Sequence, residues 1–174
     1  MGGRVMGMDV YGLNPKENKK LKEFVTLSKY RDMDYKKKWK ALDSDEELRE
    51  KYWAEEDAYR EINAGTYFRN NVWSWRPLWD FCHQFTDVVS DNDWEHGHHN
   101  DGHIIEEGKA KQLGIQLIEL LDDGVVDEYI KEYTLEMEER KKNGDEFATS
   151  YILWRENVED FARFCLECGG FEIS

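Results

Sequence analysis

Residues 67–78 read Tyr67-Phe68-Arg69-Asn70-Asn71-Val72-Trp73-Ser74-Trp75-Arg76-Pro77-Leu78. Over 67–73, alternation sends Phe68 and Val72 to one side and Arg69, Asn71 and Trp73 to the other, the period of a half-buried strand. The period then changes. Leu78, Phe81, Cys82, Phe85 and Val89 recur at helical spacing, and Pro77 suits the first turn of a helix opened by Trp75-Arg76-Pro77, where a missing N–H has no partner to lose. A strand feeding a helix in a chain of 174 residues predicts an α+β fold, a small sheet covered by several helices.

Working outward, Met6, Met8 and Val10 alternate with Gly7, Asp9 and Tyr11, which predicts a first strand over 5–11, ended by Gly12 and Pro15. Between the two strands, residues 16–64 are charged and helical in character. Ser44-x-x-Glu47 reads as a capping box, and Leu48, Tyr52, Tyr59 and Ile62 form a stripe. This stretch is expected to be a helical arm inserted after the first strand of a single domain spanning 1–174. Residues 16–42 hold ten Lys/Arg against four acids, and 43–61 hold nine acids against three basic groups. The halves can pair as a hairpin, but exposed ion pairs contribute only ~0.2–1 kcal/mol each, so Phe24, Trp39 and Trp53 are expected to do most of the docking.

Beyond the Pro77 helix, 90–103 reads as a polar loop and 105–122 as a helix stopped by Gly124. Val126, Tyr129, Ile130, Tyr133 and Met137 mark another helix. An extended piece is expected over 150–153, then a helix carrying Val158, Phe161, Ala162 and Cys165, closed by Gly169-Gly170, with 171–173 returning as an edge strand.

The two halves of the arm cancel, so the net charge of −14 sits in the rest of the chain. Such a surface repels phosphate backbones, which disfavours nucleic acid as a partner unless a local cationic pocket exists, and it leaves a host protein of basic character as a partner. No run approaches the ~20 apolar residues of a membrane span, and no secretory signature opens the chain, so no membrane partner and a cytoplasmic location are expected. Cys82, Cys165 and Cys168 are expected to be reduced, buried helix thiols. The Cys165-x-x-Cys168 pair lacks the second pair or matched histidines that a zinc site needs.

Arg69, Asn71, Trp73, Trp75 and Arg76 combine guanidinium forks, a carboxamide and flat rings suited to a small polar, anionic or nucleotide-like ligand; the alternative is that they fill core and satisfy loop backbone. Asp9 and Tyr11 face away from the methionines, and Asp9 meets Arg69 or Arg76 if the first two strands are neighbours. Asn100 and Asp101, before Gly102, either line the same pocket or are simple turn chemistry. His96, His98, His99 and His103 can ligate a metal and activate water, or form a solvated loop without the regular spacing of a fixed ligand set. The acidic helices over 106–139 read either as mimics of a phosphate pattern or as solvated faces. No nucleophile elbow, phosphate-cradling glycine loop or dinucleotide fingerprint occurs, and no cofactor is expected.

The ordered set Gly7-Met-Asp-Val-Tyr-Gly12, Tyr67 through Leu78, Asn100-Asp-Gly102, Asn157-Val-Glu-Asp-Phe161 and Gly169-Gly-Phe-Glu-Ile173 resembles a family of small bacteriophage and bacterial proteins. The resemblance covers the core, treats residues 16–64 as a variable region, and implies an accessory role without naming a substrate. The leading expectation is a binder of a small anionic or nucleotide-like ligand, one version being sequestration of a host defence signal. A metal-assisted hydrolase built on the histidine loop and an acidic protein-interaction module are the alternatives.

Overall fold

Strand β1, Gly7–Gly12, turns Met8 and Val10 inward and leaves Tyr11 exposed, as the alternation requires. The computed structural model describes residues 7–174, so the strand positions expected at Val5 and Met6 lie outside the described residues. β1 is central. It pairs antiparallel with β2, Tyr67–Asn71, on one side and with β4, Phe171–Ile173, on the other, and β3, His103–Ile105, pairs with β4. The order is β2-β1-β4-β3. The segment 171–173, expected at an edge, is therefore interior, and the edge on that side is β3, which takes His103 from the stretch expected to be loop and Ile105 from the expected start of the next helix. Three residues carry too little alternation to announce a strand.

The helix after β2 also departs from expectation. Helix α4 spans Val72–Phe85, because the Asn71 side chain accepts the Ser74 N–H at 3.0 Å and caps it. Trp73 is thus helical and Pro77 lies inside the helix rather than in its first turn. Proline cannot donate to the carbonyl four residues back. That carbonyl, on Trp73, accepts the Ile152 N–H instead at 3.2 Å. The expected extended piece over 150–153 is accordingly the end of a 3-10 turn, Ala148–Ser150, and a non-sheet segment docked on α4.

Within the expected loop 90–103, Ser90 and Asp93 form a reciprocal capping box that starts α5, Asp91–His96. Helix α6 is Glu107–Asp122 and α7 is Val125–Lys142, with Gly124 between them at φ 77°, a left-handed conformation that suits glycine. Helix α8, Arg155–Glu167, is followed by Gly169 and Gly170, both at positive φ. The helices cover one face of the sheet, where Met8, Val10, Phe171 and Ile173 join Trp75, Trp79, Phe81 and Phe161 in one aromatic-rich core. The other face is open, with Tyr11, Arg69 and Ile104 exposed.

The arm comprises α1, Val25–Tyr30, α2, Tyr35–Asp43, and α3, Glu46–Ile62. Its cap is Asp45, which accepts the Leu48 N–H, whereas Ser44 donates to the Ala41 carbonyl and ends α2. The box expected at Ser44 is one residue out of register. The arm has a core of its own, with Phe24, Leu27, Tyr30 and Leu42 from its basic half against Tyr52 from its acidic half. Of the three aromatics expected to dock the halves, Phe24 is buried, Trp39 is half-buried and Trp53 is exposed. Both ends of the arm meet the end of α8. The Lys16 N–H donates to the Glu167 carbonyl at 2.7 Å, and a Cβ on Gly65 would overlap the Glu167 backbone.

That anchoring sets a test of the arm as a removable unit. Since Lys16 and Gly65 both lie against Glu167, a short Gly/Ser linker can replace residues 17–63, and the shortened chain is expected to keep one cooperative thermal transition. A molten or insoluble product would make the arm part of the core.

Candidate functional site

Register brings Tyr11 opposite Tyr67 and Asp9 opposite Arg69 on the open face. The Tyr ring centroids are 5.2 Å apart. The Tyr67 hydroxyl donates a short hydrogen bond to the Asp9 carboxylate, and Arg69 Nε lies 3.3 Å from the same oxygen. Burial, and then Asp9, push the Tyr67 hydroxyl well above its ordinary value, so it stays a donor.

Over this pair the arm adds guanidinium groups on aromatic faces. Arg31 lies 5.0 Å from the Tyr59 ring centroid and Arg60 lies 5.1 Å from that of Tyr67. Arg60 Nη2 also contacts Glu56 Oε1 at 2.8 Å, while Glu56 Oε2 is buried without a partner. Tyr11, Arg31, Glu56, Tyr59, Arg60 and Tyr67 line a cleft of about 250 Å³. A second cleft of about 410 Å³, around the free edge of β2, shares Arg60 and Tyr67 and adds Arg69 and Arg163. Four of the nine arginines in the chain thus border two adjacent clefts that share Arg60 and Tyr67, with Glu56, Glu61 and Asp160 among the other lining residues.

No family model, no curated protein and no solved structure matches this chain. The site is read from its own chemistry.

Among the nine residues expected to bind ligand, Asp9, Tyr11 and Arg69 come together, and Asp9 pairs with Arg69 rather than Arg76. The others scatter; for Trp73, Trp75 and Arg76 the reason is that a helix beginning at Val72 turns each residue ~100° from the last instead of alternating. Asn71 is occupied as the α4 cap. Trp75 is fully buried, stacked on Trp79 at 5.3 Å with Nε1 donating to the Gly97 carbonyl at 2.7 Å, so it is core and not a stacking wall. Trp73 is half-buried against Tyr151, and Arg76 opens into a different cleft, between α4 and α7. Asn100 donates to the Gly7 carbonyl at 3.3 Å, at the far end of β1 from Tyr11, and Asp101 pairs with His96 at 2.8 Å.

The histidines are held singly by carboxylates. His98 pairs with Asp80 at 3.1 Å and His103 with Asp93 at 2.9 Å, besides the His96–Asp101 pair, and His99 belongs to none of these. Among the described residues no group of three or more His, Cys, Asp or Glu is placed to hold a metal ion. Cys82, Cys165 and Cys168 are free and buried, and burial pushes the Cys168 thiol up to about 11. Among the described residues no helix is long and apolar enough to cross a membrane.

Arg31, Glu56, Tyr59, Arg60, Tyr67 and Arg163 were not legible as site residues from the sequence. One signal was present: only four residues separate Ile62, the end of α3, from Tyr67, the start of β2, so Tyr59 and Arg60 had to lie near Tyr67 across the Gly65 turn.

Proposed function

We propose that the groove between the open sheet face and the arm binds a small aromatic anion of mononucleotide class. The observation that carries this reading is the convergence of Arg31, Arg60, Arg69 and Arg163 beside the Tyr11, Tyr59 and Tyr67 rings on a chain of net charge −14. Guanidinium forks match phosphate or carboxylate oxygens, and tyrosine faces accept a planar base. The larger of the two clefts, about 410 Å³, falls in the size range of small-molecule sites, roughly 300–1,000 Å³. Together with the resemblance to small phage and bacterial proteins, the role we attach to this binding is sequestration of a host defence nucleotide.

Calorimetric titration with mono-, di- and cyclic nucleotides tests it. A charge-assisted contact is worth about 1.5–3 kcal/mol, so Arg60→Ala is expected to weaken binding roughly ten- to hundredfold. Arg69→Ala is expected to change folding stability by less than about 1 kcal/mol, because its pair with Asp9 is solvent-exposed. If no nucleotide binds the wild-type protein, the groove is not a nucleotide site and the interaction-module reading takes its place.

A further inference from the structure

A further cleft, of about 470 Å³, opens between α4 and α7 on a different part of the molecule. Arg76, Asp80 and Gln84 recur every four residues along one face of α4, and Tyr129, Tyr133, Glu136 and Arg140 recur at three- and four-residue spacing along the facing side of α7. Opposite charges four residues apart on a helix ordinarily meet, their Cβ atoms lying ~5–6 Å from each other. Arg76 and Asp80 do not. Asp80 Oδ1 is held by Trp94 Nε1 at 2.7 Å and His98 Nε2 at 3.1 Å, whereas Arg76 reaches the Tyr151 hydroxyl at 3.4 Å. Burial works against ionisation of Asp80, yet the hydrogen bonds from His98 and Trp94 outweigh it and keep its carboxyl below the usual range. The cleft therefore offers a fixed negative group with one oxygen uncommitted and, one helical turn away, a guanidinium with no carboxylate partner among the described residues. Tyr129 and Tyr133, 5.8 Å apart and near parallel, form the facing wall. Arg140, at the end of the cleft, is already neutralised by Asp145 at 2.7 Å.

We infer that this cleft binds a zwitterion of the free amino-acid class, its ammonium on Asp80 and its carboxylate on Arg76, with the uncharged side chain against the tyrosine wall. A cation alone would meet Arg76 unpaired, and an anion alone would meet Asp80; only a ligand carrying both charges, separated by two or three bonds, satisfies the split pair. Glu136 on the opposite wall gives the ammonium a second carboxylate.

The test is calorimetric titration of the whole protein with free tyrosine, phenylalanine, leucine and methionine, and with ethylammonium and acetate as single-charge controls. Binding of at least one amino acid is expected, at least tenfold tighter than either control. Arg76→Gln, an exposed position, is expected to weaken it at least tenfold without shifting the thermal midpoint, and Asp80→Asn to do the same for binding. Should Asp80→Asn unfold the chain by releasing Trp94 and His98, Glu136→Gln takes its place, with a threefold or larger weakening expected. The proposal is overturned if no amino acid binds, if ethylammonium or acetate binds as tightly, or if Arg76→Gln leaves affinity unchanged. Nucleotide binding in the other groove is read independently, so either can fail alone.

Discussion

Trp75→Ala is expected to destabilise the fold by about 3–5 kcal/mol, whereas Trp73→Ala, two residues earlier, costs less than half of that. The two rings look alike in sequence, and the difference lies in what surrounds them. Trp75 has no exposed surface, stacks on Trp79 and meets the Phe161 ring edge-on at 5.6 Å. Its removal leaves a cavity at the centre of the core and also orphans the Gly97 carbonyl, which accepts its Nε1 proton. The Gly97 backbone already lies against the neighbouring core ring, since a Cβ there would overlap Trp79. Trp73 is half-buried, and its neighbours Tyr151 and Phe147 belong to a surface segment that can collapse around a smaller side chain. Urea melts with a common slope decide the matter. A Trp75→Ala midpoint within 1 kcal/mol of wild type would mean that the ring is not a core element and would reopen its place in a binding site.

The contrast also shows which parts of the molecule were readable in advance. The α+β class, β1, α6, α7 and α8 rest on long or clean periodicity, and the structure has them where Met8/Val10, Leu113/Leu117 and Phe161/Cys165 place them. The errors cluster where a cap or a carbonyl outside the local window takes over. Asn71 reads equally well as a strand residue and as an N-cap, and the decision falls to the Ser74 N–H; Pro77 reads as a helix start unless Ile152 is known to satisfy the Trp73 carbonyl. Ser90 and Asp93 cap α5, but a six-residue helix has too few turns to show a stripe in the sequence. For the site, strand adjacency left Asp9 to meet either Arg69 or Arg76 and the register decides for Arg69, while the arginines contributed by the arm required knowing that α3 folds back over β2.

Replacing Asp93 by asparagine is expected to cost about 2–3 kcal/mol at neutral pH, and the loss should depend on pH with a definite sign. The carboxylate is buried and gathers four donors: the Lys109 ammonium, the Ser90 hydroxyl and N–H, and His103 Nε2 at 2.9 Å. It closes the α5 capping box and ties α5 to β3 and α6 at once, so this one group fixes the corner on which the histidine loop turns. Burial by itself would raise its carboxyl, but the bonds from Lys109, Ser90 and His103 outweigh that and hold it well below the usual carboxylate range. A carboxyl whose value is lower in the folded than in the unfolded chain stabilises the fold fully above the unfolded value, near 4, and that contribution disappears as pH falls toward the folded value. An amide has no such titration. The gap between wild type and Asp93→Asn should therefore narrow steadily as pH falls below about 4. Carboxylates away from Asp93 titrate alike in both proteins and cancel in the difference. Chemical melts across pH 2.5–7 measure it. A gap that stays constant to the acid end would assign the loss to cap geometry and packing, because only an ionised Asp93 paired with Lys109 and His103 makes the difference fade as protons are added.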